Sequence, residues 1–272
     1  MAVRAPAVAS LFYPGDAKTL RRAVRDYLAD AQVDPAPNGQ VAAVVCPHAG
    51  YRYSGPTAAY AFKRASAMTP RRVVLLGRSH HHLFDGVSVW PKGELATPLG
   101  ESPVDAAFTA ALVADFTVQS PHIHDREHAI EVMLPFVQEL YGEVPVVALL
   151  FGNEPSSFAV EVGTRLAGLL DPGDLVVLST DLSHYLTERE ANALDARSID
   201  AVLEGDVNQF AQSALREEIA LCGATAVEAG LACAHALGAT HRQLLDYRTS
   251  AWASGDTARV VGYAAIAFER AA

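Results

Sequence analysis

The sequence predicts an α/β fold in three layers, with a central, mostly parallel but mixed sheet and helices on both faces. Two observations carry this. Short apolar runs at Val41–Cys46, Val73–Leu76, 144–151 and Leu175–Leu178 have the length and composition of strands buried on both sides. Segments with helical spacing separate those runs, and strand–helix alternation of this kind builds parallel sheets. Pro and Gly are scattered, and no Ser/Gly-rich or single-charge tract divides the chain. The 272 residues, 50% of them hydrophobic, therefore read as a single domain, 1–272, able to bury a large core.

In chain order, Ala17 to Ala31 is the first predicted helix, with Leu20, Val24, Tyr27 and Leu28 on one side. Strand 41–46 leads through a Gly-containing loop to a helix over 56–65, where Pro56 suits a first turn. Strand 72–77 is followed by a shorter strand over 84–90, a turn at 97–100 and a helix over 103–114. Residues 127–141 show helical spacing through Ile130, Leu134, Val137 and Leu140, and Pro135 inside that pattern should kink it. Strand 144–151, helix 155–170 and strand 174–180 come next, then helices at 187–203, 206–214 and 222–237. Strands 242–250 and 258–268 close the chain as an expected antiparallel pair.

Bulk properties narrow the function. The net charge is -10, from 31 acidic and 21 basic residues, which argues against nonspecific binding to nucleic acid or anionic membranes. No stretch is long and apolar enough to span a bilayer, and the opening residues lack a signal-peptide core. Cys46, Cys222 and Cys233 are odd in number and form no CxxC, which fits a reducing cytoplasm better than a disulfide framework.

Three apolar runs each release a histidine shortly after they end: His48, His80 and His184. The carboxyl ends of parallel strands form the ligand crevice of an open sheet, so imidazoles meeting there would make a metal or acid–base site. Any one of them alone could equally be a loop histidine bonded to a carbonyl. Of the consecutive His80, His81 and His82, His80 is nearest the strand end. Asp181 stands three residues before His184, where it could cap backbone N–H groups, orient a histidine or bind metal. His184 is the candidate general acid or base, because imidazole is the side-chain type suited to proton transfer near neutral pH. Cys222 precedes a helical stretch whose N-terminus would favour the thiolate, although an isolated cysteine is more often buried and inert. Cys46 and Cys233 fit the core. Asp125, Glu127, His128 and Glu131 form a polar group at a predicted helix start. His128 and Glu131, three apart, would share a face as ligand support or substrate clamp.

Several segments together are similar to the Memo family, the group that also supplies protein B of the AmmeMemoRadiSam system. They are Pro47-His-Ala-Gly-Tyr-Arg-Tyr-Ser-Gly55, Leu76-Gly-Arg-Ser-His-His81, Thr97-Pro-Leu-Gly100, Glu127-His-Ala-Ile-Glu-Val-Met-Leu-Pro-Phe136, Ser179-Thr-Asp-Leu-Ser-His-Tyr185, Leu221-Cys-Gly223 and Val261-Gly-Tyr-Ala264. Each is short, but they span nearly the whole chain in unchanged order.

The resemblance implies a fold related to the class III (LigB-like) extradiol dioxygenases, which hold Fe(II) with two histidines and a carboxylate. Carried over by motif, His48 and His80 are the imidazole ligands, and Cys222 falls where those enzymes place a glutamate. His184 matches their catalytic histidine, with Asp181 in the same motif. A thiolate in that set tolerates copper or zinc as well as iron, and is itself oxidisable. The expected function is therefore a mononuclear iron site in a dioxygenase-like oxidoreductase acting on a small substrate. The same resemblance implies a noncatalytic alternative: an accessory protein that binds metal or a phosphotyrosine peptide in the strand-end cleft, beside a radical-SAM partner. A zinc hydrolase is a third reading. A serine hydrolase is disfavoured, because no Gly-x-Ser-x-Gly elbow occurs.

Overall fold

Side chains along a strand alternate between the two faces of its sheet, and here both faces are apolar. Within the run Val73–Leu76, Val73 and Leu75 enter one buried cluster, while Val74 and Leu76 enter a second. Leu175 and Val177 divide from Val176 and Leu178 in the same way. A sheet that buries both faces must be covered twice, which gives the three layers the sequence predicts. The structure is a computed structural model describing residues 2–271, so residues 1 and 272 of the predicted 1–272 span lie outside the described residues.

The first half of the chain forms β1 (Val3–Arg4), α1 (Ala17–Asp30), β2 (Val41–Cys46), α2 (Tyr51–Arg64) and β3 (Val73–Arg78). There follow β4 (Val87–Val89), β5 (Glu94–Thr97), β6 (Gly100–Pro103), α3 (Ala106–Leu112) and β7 (Val118–Gln119). Two 3-10 turns, Pro121–His124 and Glu131–Met133, lead into α4 (Leu134–Tyr141) and β8 (Val146–Phe151). The second half forms α5 (Ser156–Leu169), β9 (Leu175–Ser179), β10 (His184–Leu186), α6 (Glu188–Glu204) and α7 (Val207–Leu215). It closes with α8 (Ala224–Ala236), β11 (His241–Thr249), α9 (Ala251–Ser254) and β12 (Val260–Glu269).

β2, β9, β3 and β8 run parallel in that spatial order at the centre of the large sheet. Its flanks are mixed. β4 is antiparallel to β8, and β12 is antiparallel to β2, β10 and β11. The closing β11–β12 pair is thus antiparallel, as expected from its short connection. A separate small sheet has the order β1, β5, β6. Residues of α1, α2 and α4 cover one face, and residues of α5, α6, α7 and α8 cover the other. No helix among the described residues is long and apolar enough to cross a membrane.

Several element bounds differ from expectation, each for a local reason. The second helix begins at Tyr51, five residues before Pro56, so the proline lies inside it. The helix expected over 103–114 is shorter, because Pro103 ends β6 and the Asp105 carboxylate caps the start of α3 by accepting from Phe108 N. The largest difference is at 127–141. Only Leu134–Tyr141 is α-helical, and Pro135 sits in the first turn, where its missing N–H costs nothing, instead of kinking a longer helix. Residues 127–133 are thereby released into a loop at the sheet edge.

Candidate metal site

β9 lies between β2 and β3, so the loops leaving all three strands share one edge of the sheet. His48 follows β2 and His80 follows β3, which brings them together across the end of β9 (ring centroids 4.9 Å apart). The loop over 127–133 adds His128, whose ring centroid is 5.2 Å from that of His48 and 4.6 Å from that of His80. One ring nitrogen from each of the three lies within 4.8 Å of the other two, so the group could hold a metal ion.

Hydrogen bonds fix which nitrogens face inward. The Ser179 hydroxyl donates to Ala129 O at 2.6 Å, so its oxygen must accept from His48 Nδ1, 2.7 Å away. His48 Nδ1 therefore carries the proton and Nε2 keeps its lone pair. His80 Nδ1 lies 2.9 Å from Glu127 Oε1, and a carboxylate only accepts, so its Nε2 is the free nitrogen in the neutral ring. A histidine steadied by a carboxylate through its second nitrogen is the usual arrangement of metal-ligating imidazoles.

Glu127 is 1% exposed, and its buried charge is well compensated. It accepts from His80 N at 2.6 Å, from His128 N at 2.9 Å and from Ala129 N at 3.0 Å, besides the His80 ring. Burial works against its ionised form, but these donors hold its pKa well below the carboxylate range. Burial also opposes a charge on His80, yet the Cys222 and Glu127 side chains outweigh it and lift the pKa to about 9. His128 goes the other way: burial, followed by the nearby His48, lowers it to about 3.

Cys222 Sγ lies 3.2 Å from His48 Nε2 and accepts from Asp181 N at 3.2 Å. It is partly exposed, and it does not belong to the three-imidazole group. The neighbouring Gly223 lets this turn press against β9: a Cβ there would collide with Ser179 O and Thr180. Asp181 is buried, with Oδ1 accepting from His48 N at 2.7 Å, so it ties the His48 loop to the Cys222 turn.

His184 stands apart from this group. The loop after β9 does not pass directly into a helix, because it first forms β10 against β12. The His184 ring is exposed, with Nδ1 2.9 Å from Leu182 O. Behind it, Asp195 Oδ1 accepts from Ser183 N and Oδ2 accepts from Tyr247 OH. A Cβ at Gly262 would occupy the place of that carboxylate. His81 and His82 are exposed, and His80 is itself partly open to solvent, with a side chain 27% exposed. Cys46 and Cys233 are buried, as expected.

Sequence reasoning placed His128 beside Glu131 on one helix face, but the structure sends the two in opposite directions. His128 joins the imidazoles, whereas Glu131 turns to Arg4 and Tyr13. Read as the first turn of a helix, Pro135 would have released residues 127–133 as a loop.

The family model described as Memo-like protein matches residues 4–267. The chain belongs to the Memo-like family. A MEMO1 family protein of Methanopyrus kandleri is 36% identical over 280 residues, covering 98% of this chain and 99% of its own. One from Thermotoga maritima is also 36% identical, covering 96% and 97%. One from Nitrosopumilus maritimus is 32% identical, covering 98% and 99%. Among solved structures, an uncharacterized protein from Escherichia coli K12 aligns with a TM-score of 0.51 over 84% of this chain and 99% of that one. At 14% identity, that likeness shows a shared fold.

The acid stability of this Memo-like protein should turn partly on His124, four residues before His128 in the same loop. Its ring is 2% exposed with no partner for Nε2, and burial lowers its pKa from 6.5 to about 4. The folded state therefore binds fewer protons than the unfolded one in this range. The associated stability is complete above about pH 6.5 and falls away as pH drops toward 4, by about 3 kcal/mol in full. Urea unfolding at pH 7 and pH 4.5 should show a smaller loss in His124→Gln than in the wild type.

Proposed function

We propose that this Memo-like protein is an oxidoreductase holding one iron ion, with His48, His80 and Cys222 as its protein ligands and His128 as a bordering donor. The observation that carries the reading is the pair of Nδ1 contacts, with Ser179 and Glu127, which leaves the Nε2 atoms of His48 and His80 without those partners, that of His48 lying 3.2 Å from Cys222 Sγ. Imidazole and thiolate donors suit iron, and also copper or zinc. Bound iron would supply one-electron chemistry towards dioxygen.

The chain's own contribution is positional. Asp181 holds the His48 backbone and the Cys222 turn in a fixed relation, and Glu127 sets the His80 ring. His184, at the exposed side, is the proposed proton carrier for a small substrate entering the strand-end cleft. The cytoplasm is the proposed location.

Anaerobic Fe(II) reconstitution, followed by oxygen-uptake assays against catechols and small phenols, tests the activity. Uptake that requires both metal and substrate is expected, and metal-loaded protein without turnover would overturn the enzymatic reading. Cys222→Ser exchanges a soft ligand for a hard one. In competition titrations it should shift preference from copper and zinc toward harder ions; an unchanged order would remove Cys222 from the ligand set.

One observation favours a noncatalytic reading. The exposed His184 has its Nδ1 against Leu182 O and stands outside the imidazole group. On that reading the protein binds metal stoichiometrically without turnover and serves as an accessory, taking a peptide in the cleft or a radical-SAM partner. Calorimetry with a phosphotyrosine peptide, beside the oxygen assay, separates the two.

A further inference from the structure

We infer that Arg4 and Glu131 are positioning residues. They clamp the N-terminal strap, residues 3–13, onto the loop that carries Glu127 and His128, and so set the geometry of the imidazole group. The inference rests on the metal-site reading for its consequence, but not for its structural content.

The loop needs such a clamp. Residues 121–133 contain only two short 3-10 turns, with no strand pairing and no α-helix to fix them. Arg4 meets this loop with a buried guanidinium. Its Nε and Nη2 donate to His124 O at 2.9 and 2.8 Å, and Nη2 also donates to Glu127 O at 2.5 Å. Nη1 closes an ion pair with Glu131. The Glu131 carboxylate, 1% exposed, also accepts from Ala7 N at 2.7 Å, Val8 N at 3.0 Å and Tyr13 OH at 2.5 Å. A planar donor bound to carbonyls on one side and a carboxylate on the other cannot be replaced by a lysine or a neutral chain without losing bonds.

The far end of the strap reaches the site itself. The Phe12 ring lies 4.9 Å from that of His128. Phe12 O accepts from Tyr51 N at 2.7 Å, three residues beyond His48. β1, paired with β5, anchors the near end. The strap therefore touches the His48 loop and the His128 loop without supplying a metal ligand. A segment spliced between two ligand-bearing loops holds them at a set spacing, and supporting contacts of this kind typically change metal affinity ~10–100-fold when removed.

The test compares wild type with Arg4→Met, Tyr13→Phe and His184→Ala, each first shown to be folded by circular dichroism. Tyr13→Phe, which removes a single hydrogen bond, keeps the test intact if Arg4→Met fails to fold. Imidazole 1H–15N spectra of the metal-free proteins form the first readout. The Arg4 and Tyr13 variants should shift the His80 and His128 resonances, whereas His184→Ala should leave both in place. Cobalt(II) titration forms the second: Arg4→Met should bind ~10–100-fold more weakly, with an altered visible spectrum. Unmoved His80 and His128 resonances in both folded strap variants would overturn the strap's role. Wild-type protein that takes up no cobalt(II) would count against the metal site alone, and the resonance shifts would still decide the clamp.

Discussion

His48→Ala and His80→Ala should each empty the metal site, while His184→Ala should leave it occupied. The first two remove nitrogens that the fold holds ready: His48 is 2% exposed with Nδ1 fixed by Ser179, and His80 is fixed by Glu127. The His184 ring faces solvent and contacts the backbone of its own turn. Losing a ligand should weaken binding by more than the ~10–100-fold typical of losing a residue that supports one. Elemental analysis of protein purified without chelators or an affinity tag gives the metal content directly. Equal content in wild type and both ligand variants would sink the assignment.

The second large effect is expected at Glu127. Glu127→Gln keeps the shape of the side chain but removes the charge that balances His80 and gathers three backbone N–H groups. Breaking a fully buried pair from one side typically costs about 3–5 kcal/mol. Here Glu127 is buried but the His80 side chain is 27% exposed, so water screens the charge left behind and the cost should fall below that range. The pH signature follows from the two shifts, which share the Glu127–His80 ion pair and are counted once for it, with the Cys222 side chain also raising His80. The depressed Glu127 contributes stability that is present above its unfolded pKa, near 4.5, and is lost as pH falls. The raised His80 contributes stability that is complete below 6.5 and is lost as pH rises through about 9. Metal-free wild type should therefore be more stable than Glu127→Gln at neutral pH, with the gap closing toward both extremes. A pH titration of the His80 resonances should also move its midpoint down from about 9 in the variant. An unchanged midpoint would mean that Glu127 does not govern the ring.

The fold was legible because its central strands are buried on both faces, and continuous apolar runs announce that condition. The strand-end positions of His48 and His80 followed from the same runs. The small sheet was not legible. β1 has two residues and β5 has four, and strands that short carry no periodicity to read. His128 was hidden by a coincidence of spacing: residues 127–133 continue the apolar rhythm of α4 although they do not continue its helix. Arg4 was invisible for a different reason. Its partners lie 120 to 127 residues away, and nothing local marks a guanidinium as buried. His184 shared the strand-end context of the other two, but the intervening β10 carries it onto the sheet margin.

The unequal burial of the three cysteines gives this protein a built-in chemical counter. Burial lifts the Cys46 thiol well above its ordinary range and pushes Cys233 up to about 12, so both stay protonated and enclosed at neutral pH. Cys222 alone is partly accessible. A mild alkylating reagent should therefore modify one sulfur per folded chain, and a coordinated sulfur would be shielded from it. If Cys222 is a ligand as proposed, mass spectrometry after brief labelling would read, molecule by molecule, how much of a preparation holds a metal there.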